Sequence, residues 1–167
     1  MSMYTLSVTA FIQMLNNLSA ILDKAEAHAT AKTIAPEVLL NARLYPDMHP
    51  LIRQIQSVCD FSTKASARLA QVEVPNTPNT EQTFAELKQR LAASVDYLKT
   101  LKPAQFEGAD SRDIDYPVGP GKTMTMSGEK VLAHLVLPNF YFHAATAYDI
   151  LRHNGLEIGK RDFLGAR

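Results

Sequence analysis

The chain has little of what marks several common classes of protein: it has a single cysteine, no net charge and no run of basic residues. Cys59 alone cannot form an internal disulfide, which agrees with a reducing compartment, and it leaves no pair of cysteines with zinc-ligand spacing. The 17 basic and 17 acidic side chains cancel, so no overall field attracts phosphates and we expect no nucleic-acid partner. No serine lies in the glycine pattern of a nucleophile elbow, which excludes that class of hydrolase.

The N-terminal segment lacks the features of a targeting or membrane segment. Gln13, Asn16 and Asn17 interrupt its apolar residues, and no cationic leader precedes them. We therefore expect no membrane partner and a cytoplasmic location. The 167 residues suit a single domain, 1–167, whose core is large enough to need no disulfide or metal for its stability.

Helical periodicity is what the chain has in abundance. Four stretches carry apolar residues at the three- and four-residue spacing of an amphipathic helix. They run from Met3 to about Ala27, from near Asp47–Pro50 to before Pro75, from a cap at Asn79 or Thr80 to before Pro103, and from Ser127 to Gly155. A short helix from Pro36 to Leu44 connects the first two, with proline in a tolerated first-turn position. The pattern predicts an all-α fold, a four-helix bundle.

The crossover between the third and fourth long helices, Lys102 to Ser127, has a different periodicity. Apolar residues alternate with polar or small ones on either side of a turn at 119–122, which predicts a small β-hairpin. These residues are Ile114, Tyr116, Val118, Met124 and Met126. A connection of this length is either the side wall of a site or a plain surface crossover.

The last helix carries a polar stripe on an otherwise apolar surface. Asn139 and His143 are four residues apart and Thr146 follows one turn later, so the three side chains share a face. Buried polar groups need partners, which a hydrogen-bond network between helices or a ligand would supply. His49, near the start of the second long helix, would join this stripe if the two helices are neighbours.

Two further residues of the last helix bear on this stripe. Pro138 removes one helical hydrogen bond and predicts a bend near His134. On a straight helix His134 faces away from His143, because nine residues at about 100° each place them on roughly opposite sides. His134 is therefore not expected to share a ligand with the stripe unless a bend at Pro138 alters that angle.

Several short motifs carry a resemblance to a known family. They are Tyr45-Pro46-Asp47-Met48, Pro50-Leu51, Ala67-Arg68-Leu69-Ala70, Leu137 to His143, Ala147-Tyr148, Arg152 to Gly155, Gly159-Lys160 and Asp162-Phe163-Leu164. Over nearly its whole length the chain resembles the domain of unknown function 1993 family, which is grouped with the DinB-like bundles. The resemblance implies four helices with a long crossover, and a homodimer. It implies no established activity.

The resemblance also implies where a site would lie. Better-known DinB-like relatives hold a divalent metal with one histidine from the second helix and an H-x-x-x-H pair from the last, and some act on thiol cofactors or thiol adducts. His49 and His143 match two of these positions, and Asn139 stands where the third histidine would be. Two hypotheses follow for this degenerate site.

The first hypothesis is a small-molecule or divalent-metal pocket, with zinc or nickel held by His49, His143 and Asn139, or an organic ligand held by Asn139, His143 and Thr146. Such a site would suit a metal-assisted transferase or hydrolase that activates a bound water. The second hypothesis is a non-catalytic, dimeric binding or scaffold protein in which the Asn139 and His143 network is structural.

Overall fold

Four long helices form the body of the protein, and a β-hairpin lies in the long connection before the last of them. The computed structural model describes residues 2–165. The helices in chain order are α1 (Ala10–Ala31), α2 (Pro36–Leu40), α3 (Leu51–Leu69), α4 (Phe84–Thr100), α5 (Gly128–Lys130), α6 (Leu137–His153) and α7 (Lys160–Leu164), and the strands are β1 (Asp113–Gly119) and β2 (Lys122–Ser127). A π-helical turn, Thr5–Thr9, precedes α1, and a 3-10 turn, Pro103–Phe106, follows α4. The expected helical bundle with a hairpin in its crossover is confirmed.

The long helices are arranged in the order α1, α4, α3, α6 around the bundle. The main contacts are those of α3 with α6, α1 with α4, α3 with α4, and α1 with α6. The apolar stripes meet in one core, where the buried rings of Phe11 and Phe140 lie 4.5 Å apart between centroids. Burying each such side chain contributes about 1.5–3 kcal/mol to folding. Because α3 and α6 are neighbours, the start of α3 can reach the polar stripe of α6.

Two helix ends differ from those expected. α1 continues past its expected end near Ala27, to Ala31. α2 stops at Leu40 rather than Leu44, and its first residue is Pro36 as expected. α3 begins directly after Pro50, inside the expected range. Apolar periodicity therefore located these helices correctly, and their last turns depend on contacts that periodicity does not contain.

The cap of α4 is Thr83, so the expected cap at Asn79 or Thr80 is wrong. The hydroxyl of Thr83 accepts from the Glu86 N–H at 3.2 Å, and the Glu86 carboxylate accepts from the Thr83 N–H at 3.1 Å. This reciprocal pair satisfies two backbone donors that a single threonine or asparagine cannot satisfy. Asn79 remains in the preceding loop, where its amide donates to the Asp60 carboxylate at 3.3 Å.

The run from Gly128 to His153 consists of uninterrupted helical turns, with a π-helical turn at Val131–Val136 between α5 and α6. Pro138 is near the first residue of α6, directly after that turn. Proline has no N–H to continue the helical ladder, and the wider π turn accommodates the missing bond. A π turn therefore lies where the bend was expected. Gly155 follows the helix with φ +90°, which agrees with its expected left-handed conformation.

The hairpin is held against the bundle at its base. Ile114 and Tyr116 of β1 are buried, whereas the turn and most of β2 are exposed. The Arg112 guanidinium donates to the backbone carbonyls of Leu69, at the end of α3, and of Glu107. These bonds fix the start of β1 beside α3, so that the hairpin covers part of that helix.

The N-terminal helical segment is the most apolar long element. By length and composition alone, Thr5–Ala31 could cross a membrane, in spite of the polar residues within it. Core helices of water-soluble proteins meet the same criterion, and 44% of its apolar window is buried inside the protein. The absence of a membrane partner stays a prediction. Ala166 and Arg167 lie outside the described residues.

Candidate functional site

His143 of α6 is joined to the start of α3 by two consecutive hydrogen bonds. Its Nδ1 lies 2.7 Å from Oε1 of Gln54, whose Nε2 donates to the backbone carbonyl of His49 at 2.9 Å. Because a carbonyl can only accept, the NH2 group of Gln54 faces His49 and its oxygen faces His143. This network assigns the imidazole proton to Nδ1 and leaves Nε2 with a lone pair.

Aromatic rings surround the His143 imidazole. Phe61 of α3 stacks on it with centroids 5.6 Å apart and planes at 24°, and Phe142 meets it edge-on at 5.4 Å. Burial, followed by the positive charges of His49 and Arg53, lowers the pKa of His143 from its usual 6.5 to about 4. The imidazole is therefore neutral at pH 7, and Nε2 can accept a hydrogen bond or a proton.

The structure brings together only part of the expected set of site residues. His143 is linked to the His49 backbone only through Gln54, and the His49 side chain is exposed. The Asn139 amide donates to the Leu135 carbonyl of its own helix at 2.7 Å. Thr146 shares the stripe and is buried. The spacing argument thus predicted which side chains share a face, and His143 is the one that contacts α3.

A cleft of about 250 Å³ lies between α3 and the hairpin, next to the aromatic rings around His143. Its lining residues on α3 follow the three- and four-residue spacing of one helix face, and β1 provides the opposite wall. They are Arg53, Ser57, Asp60, Phe61, Lys64 and Arg68 of α3, with Tyr116 and Pro117 of β1. Phe61 connects the two features, because it lines the cleft and also stacks on His143. The hairpin therefore lies beside a cleft, and whether it is the side wall of a site stays a prediction.

The single carboxylate of the cleft is already paired. Asp60 lies 2.8 Å from the Arg90 guanidinium of α4 and 3.2 Å from the Lys64 ammonium. Arg90 is only 6% exposed, and it also contacts the Glu81 carboxylate at 3.4 Å and the Pro78 carbonyl at 3.1 Å. This network attaches the loop before α4 to α3, so a structural role explains Asp60.

The donor set at His143 is poorly matched to a resident divalent metal. The Gln54 bond orients the imidazole as an outer partner of a metal ligand would. However, the Arg53 charge that disfavours protonated His143 also disfavours a dication. Within residues 2–165, no three histidine, cysteine or acidic side chains gather at one point. Zinc or nickel binding by His49, His143 and Asn139 stays a prediction.

Four helices in a ring with a long crossover define this protein as a four-helix bundle, and its similarity to a solved DinB family structure makes it a DinB-like bundle. The chain is similar to a DinB family member protein from Shewanella denitrificans, known from a crystal structure, with a TM-score of 0.90 and 46% sequence identity over 98% of this chain and 92% of that one. The family model described as a domain of unknown function (DUF1993) matches residues 3–164, and the chain belongs to that family. A search of curated proteins finds no match.

The residues that sequence reasoning missed lie mainly on α3. Gln54 and Phe61, which contact His143, were not expected at the site, and neither was Arg53. One signal was present: Gln54 is a polar residue next to Ile55 on the apolar stripe of α3, and it is 1% exposed. A buried amide needs partners, which predicts a network there without identifying the partner.

Proposed function

We propose that the protein binds a small molecule in the cleft between α3 and the hairpin, with His143 beside it. The observation that carries this proposal is the position of Phe61, whose ring forms part of the cleft and stacks on the neutral imidazole. Clefts walled by apolar rings, with a few oriented polar groups, are the usual form of ligand sites. The side wall contributed by Tyr116 supports the same interpretation.

The chemistry that His143 can offer follows from its tautomer. With Nδ1–H committed to Gln54, only Nε2 remains for a ligand, and it is a hydrogen-bond acceptor. A hydroxyl or amide group of a ligand is a suitable donor to it. Because the pKa of His143 is about 4, the imidazole acts as an acceptor throughout the neutral range and is a weak base. The proposal is therefore one of binding, and it assigns no reaction.

The test is to map binding by NMR with mixtures of neutral, anionic and cationic fragments. We expect changes in the backbone amide signals of Ser57, Phe61 and Tyr116, and in the His143 ring signals. A Phe61→Ala variant should lose these changes, since it removes the ring shared by the cleft and His143.

Phe163→Ala is the matched control, because Phe163 is a half-buried ring of α7 that packs on Tyr148 and not on the cleft. Thermal unfolding of both variants checks that each is folded. Fragment effects that occur only outside the cleft, or that persist unchanged in Phe61→Ala, would contradict the proposal.

A second candidate function, a dimeric scaffold, is favoured by exposed apolar side chains next to His143 in the chain and before α3. Phe142 is 55% exposed and its neighbour Tyr141 is 38% exposed, while Tyr45 before α3 is 65% exposed. Aromatic side chains that are exposed in a monomer often lie in interfaces. In this case the bonds of Gln54 would serve only to align α3 with α6.

Sedimentation over a range of protein concentrations tests the scaffold. We expect a dimer that dissociates in a Phe142→Ser variant and persists in Phe163→Ser. A monomer at every concentration would rule the scaffold out, and a dimer unaffected by Phe142→Ser would place its interface elsewhere.

A further inference from the structure

We propose that the ligand of this cleft is a small organic anion, with a flat apolar body against Phe61 and an anionic group on the guanidinium group of Arg53 or of Arg68. This inference rests on the small-molecule function proposed above and adds the chemical class of the ligand. It depends on the charges that line the cleft and on how each of them is paired.

The cleft contains two guanidinium groups without a carboxylate partner. Among residues 2–165, neither Arg53 nor Arg68 lies within ion-pair distance of a carboxylate, although both line the cleft. The third cation, Lys64, lies 3.2 Å from Asp60. Asp60 is also paired with Arg90, so the cleft has no free carboxylate for a cationic ligand. The guanidinium groups of Arg53 and Arg68 can instead bind an anion.

The positions of the two arginines suit an organic anion with an apolar part rather than an inorganic ion. Arg53 and Arg68 are fifteen residues apart on α3, about 22 Å along the helix, and their long side chains line one cleft with Phe61 between them in sequence. An inorganic ion cannot contact both arginines and the ring. A flat molecule on Phe61 can direct an anionic group toward either arginine, and a dianion toward both.

Arg68 is oriented by its surroundings. Its guanidinium lies 5.3 Å from the centroid of the Tyr116 ring, and its Nη1 donates to the Lys64 carbonyl at 3.1 Å. One of its five donors is thereby used, and the planar group has others for a carboxylate or a phosphate. The hairpin wall, through Tyr116, thus helps to orient Arg68 in the cleft.

The test uses four phenyl probes of similar size and different charge, which are benzoate, phenyl phosphate, benzyl alcohol and benzylamine, together with inorganic phosphate. Binding is measured by calorimetry and by the side-chain Nε–H signals of Arg53 and Arg68. We expect phenyl phosphate and benzoate to bind at least about tenfold more tightly than benzyl alcohol, which corresponds to one charge-assisted hydrogen bond. Benzylamine should not bind, and inorganic phosphate should bind more weakly than phenyl phosphate.

Two variants locate the anion. Whichever of Arg53→Gln and Arg68→Gln removes the guanidinium group that holds the phosphate should weaken phenyl phosphate binding about tenfold, and the other variant should have a smaller effect. Arg161→Gln is the matched control, because Arg161 is exposed on α7 and lies in no ion pair among residues 2–165. It should leave binding unchanged.

The outcomes separate this inference from the function on which it rests. If benzyl alcohol changes the cleft signals and binds as tightly as phenyl phosphate, and neither arginine variant weakens binding, the anionic class of ligand is contradicted. The proposal that the cleft binds a small molecule is then still supported. If inorganic phosphate binds as tightly as phenyl phosphate, the claim that the ligand has an apolar part packed on Phe61 is contradicted. If no probe of any charge affects the cleft, both proposals are contradicted.

Discussion

The hydrogen bonds of Gln54 are the structural link between α3 and the candidate site, and replacing this residue tests that link. Gln54→Leu keeps a side chain of similar size at a position that is 1% exposed. It removes both the acceptor of His143 Nδ1–H and the donor to the His49 carbonyl. Neither group has another side-chain partner among residues 2–165.

The expected loss follows from the two bonds. Each contributes about 1 kcal/mol net, and a group left without a partner in a buried position adds about 1–3 kcal/mol. The apolar leucine recovers part of this, because burying an amide costs free energy that burying leucine does not. His143 is only half-buried, so water can reach its Nδ1–H after a small movement. We expect Gln54→Leu to lower the free energy of unfolding by about 2 kcal/mol.

A double-mutant cycle with His143→Phe isolates the bond between the two side chains. His143→Phe keeps the stacking on Phe61 and removes Nδ1–H. Urea unfolding of the four proteins at pH 7 measures each free energy, with unchanged m-values as the check that the unfolded states are comparable. The coupling energy should be about 1 kcal/mol, so the double variant is less destabilised than the sum of the single ones.

A coupling energy near zero would refute this reasoning. It would mean that the 2.7 Å contact between His143 and Gln54 contributes nothing to stability, so that the tautomer of His143 is not set by Gln54. Gln54→Glu should keep the interaction with His143, because a carboxylate at position 54 still accepts from Nδ1–H. That variant should also raise the pKa of His143, since it places a negative charge beside the imidazole.

Three further predictions concern pH and stability. His143 takes up its proton at pKa 6.5 in the unfolded chain and at about 4 in the folded protein, so its contribution to the free energy of unfolding is constant above about pH 7 and falls as pH drops from 6.5 toward 4. After allowance for partial exposure we expect a loss of about 2 kcal/mol by urea unfolding. His143→Phe should lack this pH dependence. Thr83→Ala should cost about 1 kcal/mol by removing the α4 cap, whereas Thr80→Ala should cost almost nothing, and equal losses would argue against the capping box. Gly128→Ala should lower the melting temperature by an amount equivalent to about 1–3 kcal/mol, because the added methyl group overlaps the Ala109 carbonyl oxygen, and an unchanged melting temperature would contradict that close approach.

Most of the fold was predictable because it depends on local patterns. The three- and four-residue spacing of apolar side chains locates α1, α3, α4 and α6, and alternation locates the hairpin. The details that failed are those where two local signals compete. Asn79 and Thr80 are good caps, but the Thr83 and Glu86 pair makes two bonds rather than one. The π turn before Pro138 is one of several ways to accommodate a proline, and sequence does not choose among them.

The candidate site was predictable only on the helix that was already suspected. Spacing places Asn139, His143 and Thr146 on one face, because residues four and three apart on a helix are neighbours whatever the rest of the fold does. It does not say which of them reaches α3. Asn139 turned out to bond within its own helix, since a short amide can reach the carbonyl four residues earlier.

Sequence alone therefore determined that this is a helical bundle with a polar stripe centred on His143, because periodicity is a property of each helix by itself. Tertiary structure decided what His143 touches. Gln54 is 89 residues away in the chain, and the hairpin residue Tyr116 faces α3 only because the crossover folds back over it. Contacts between such distant segments depend on how helices pack and on how loops return, which no local pattern encodes.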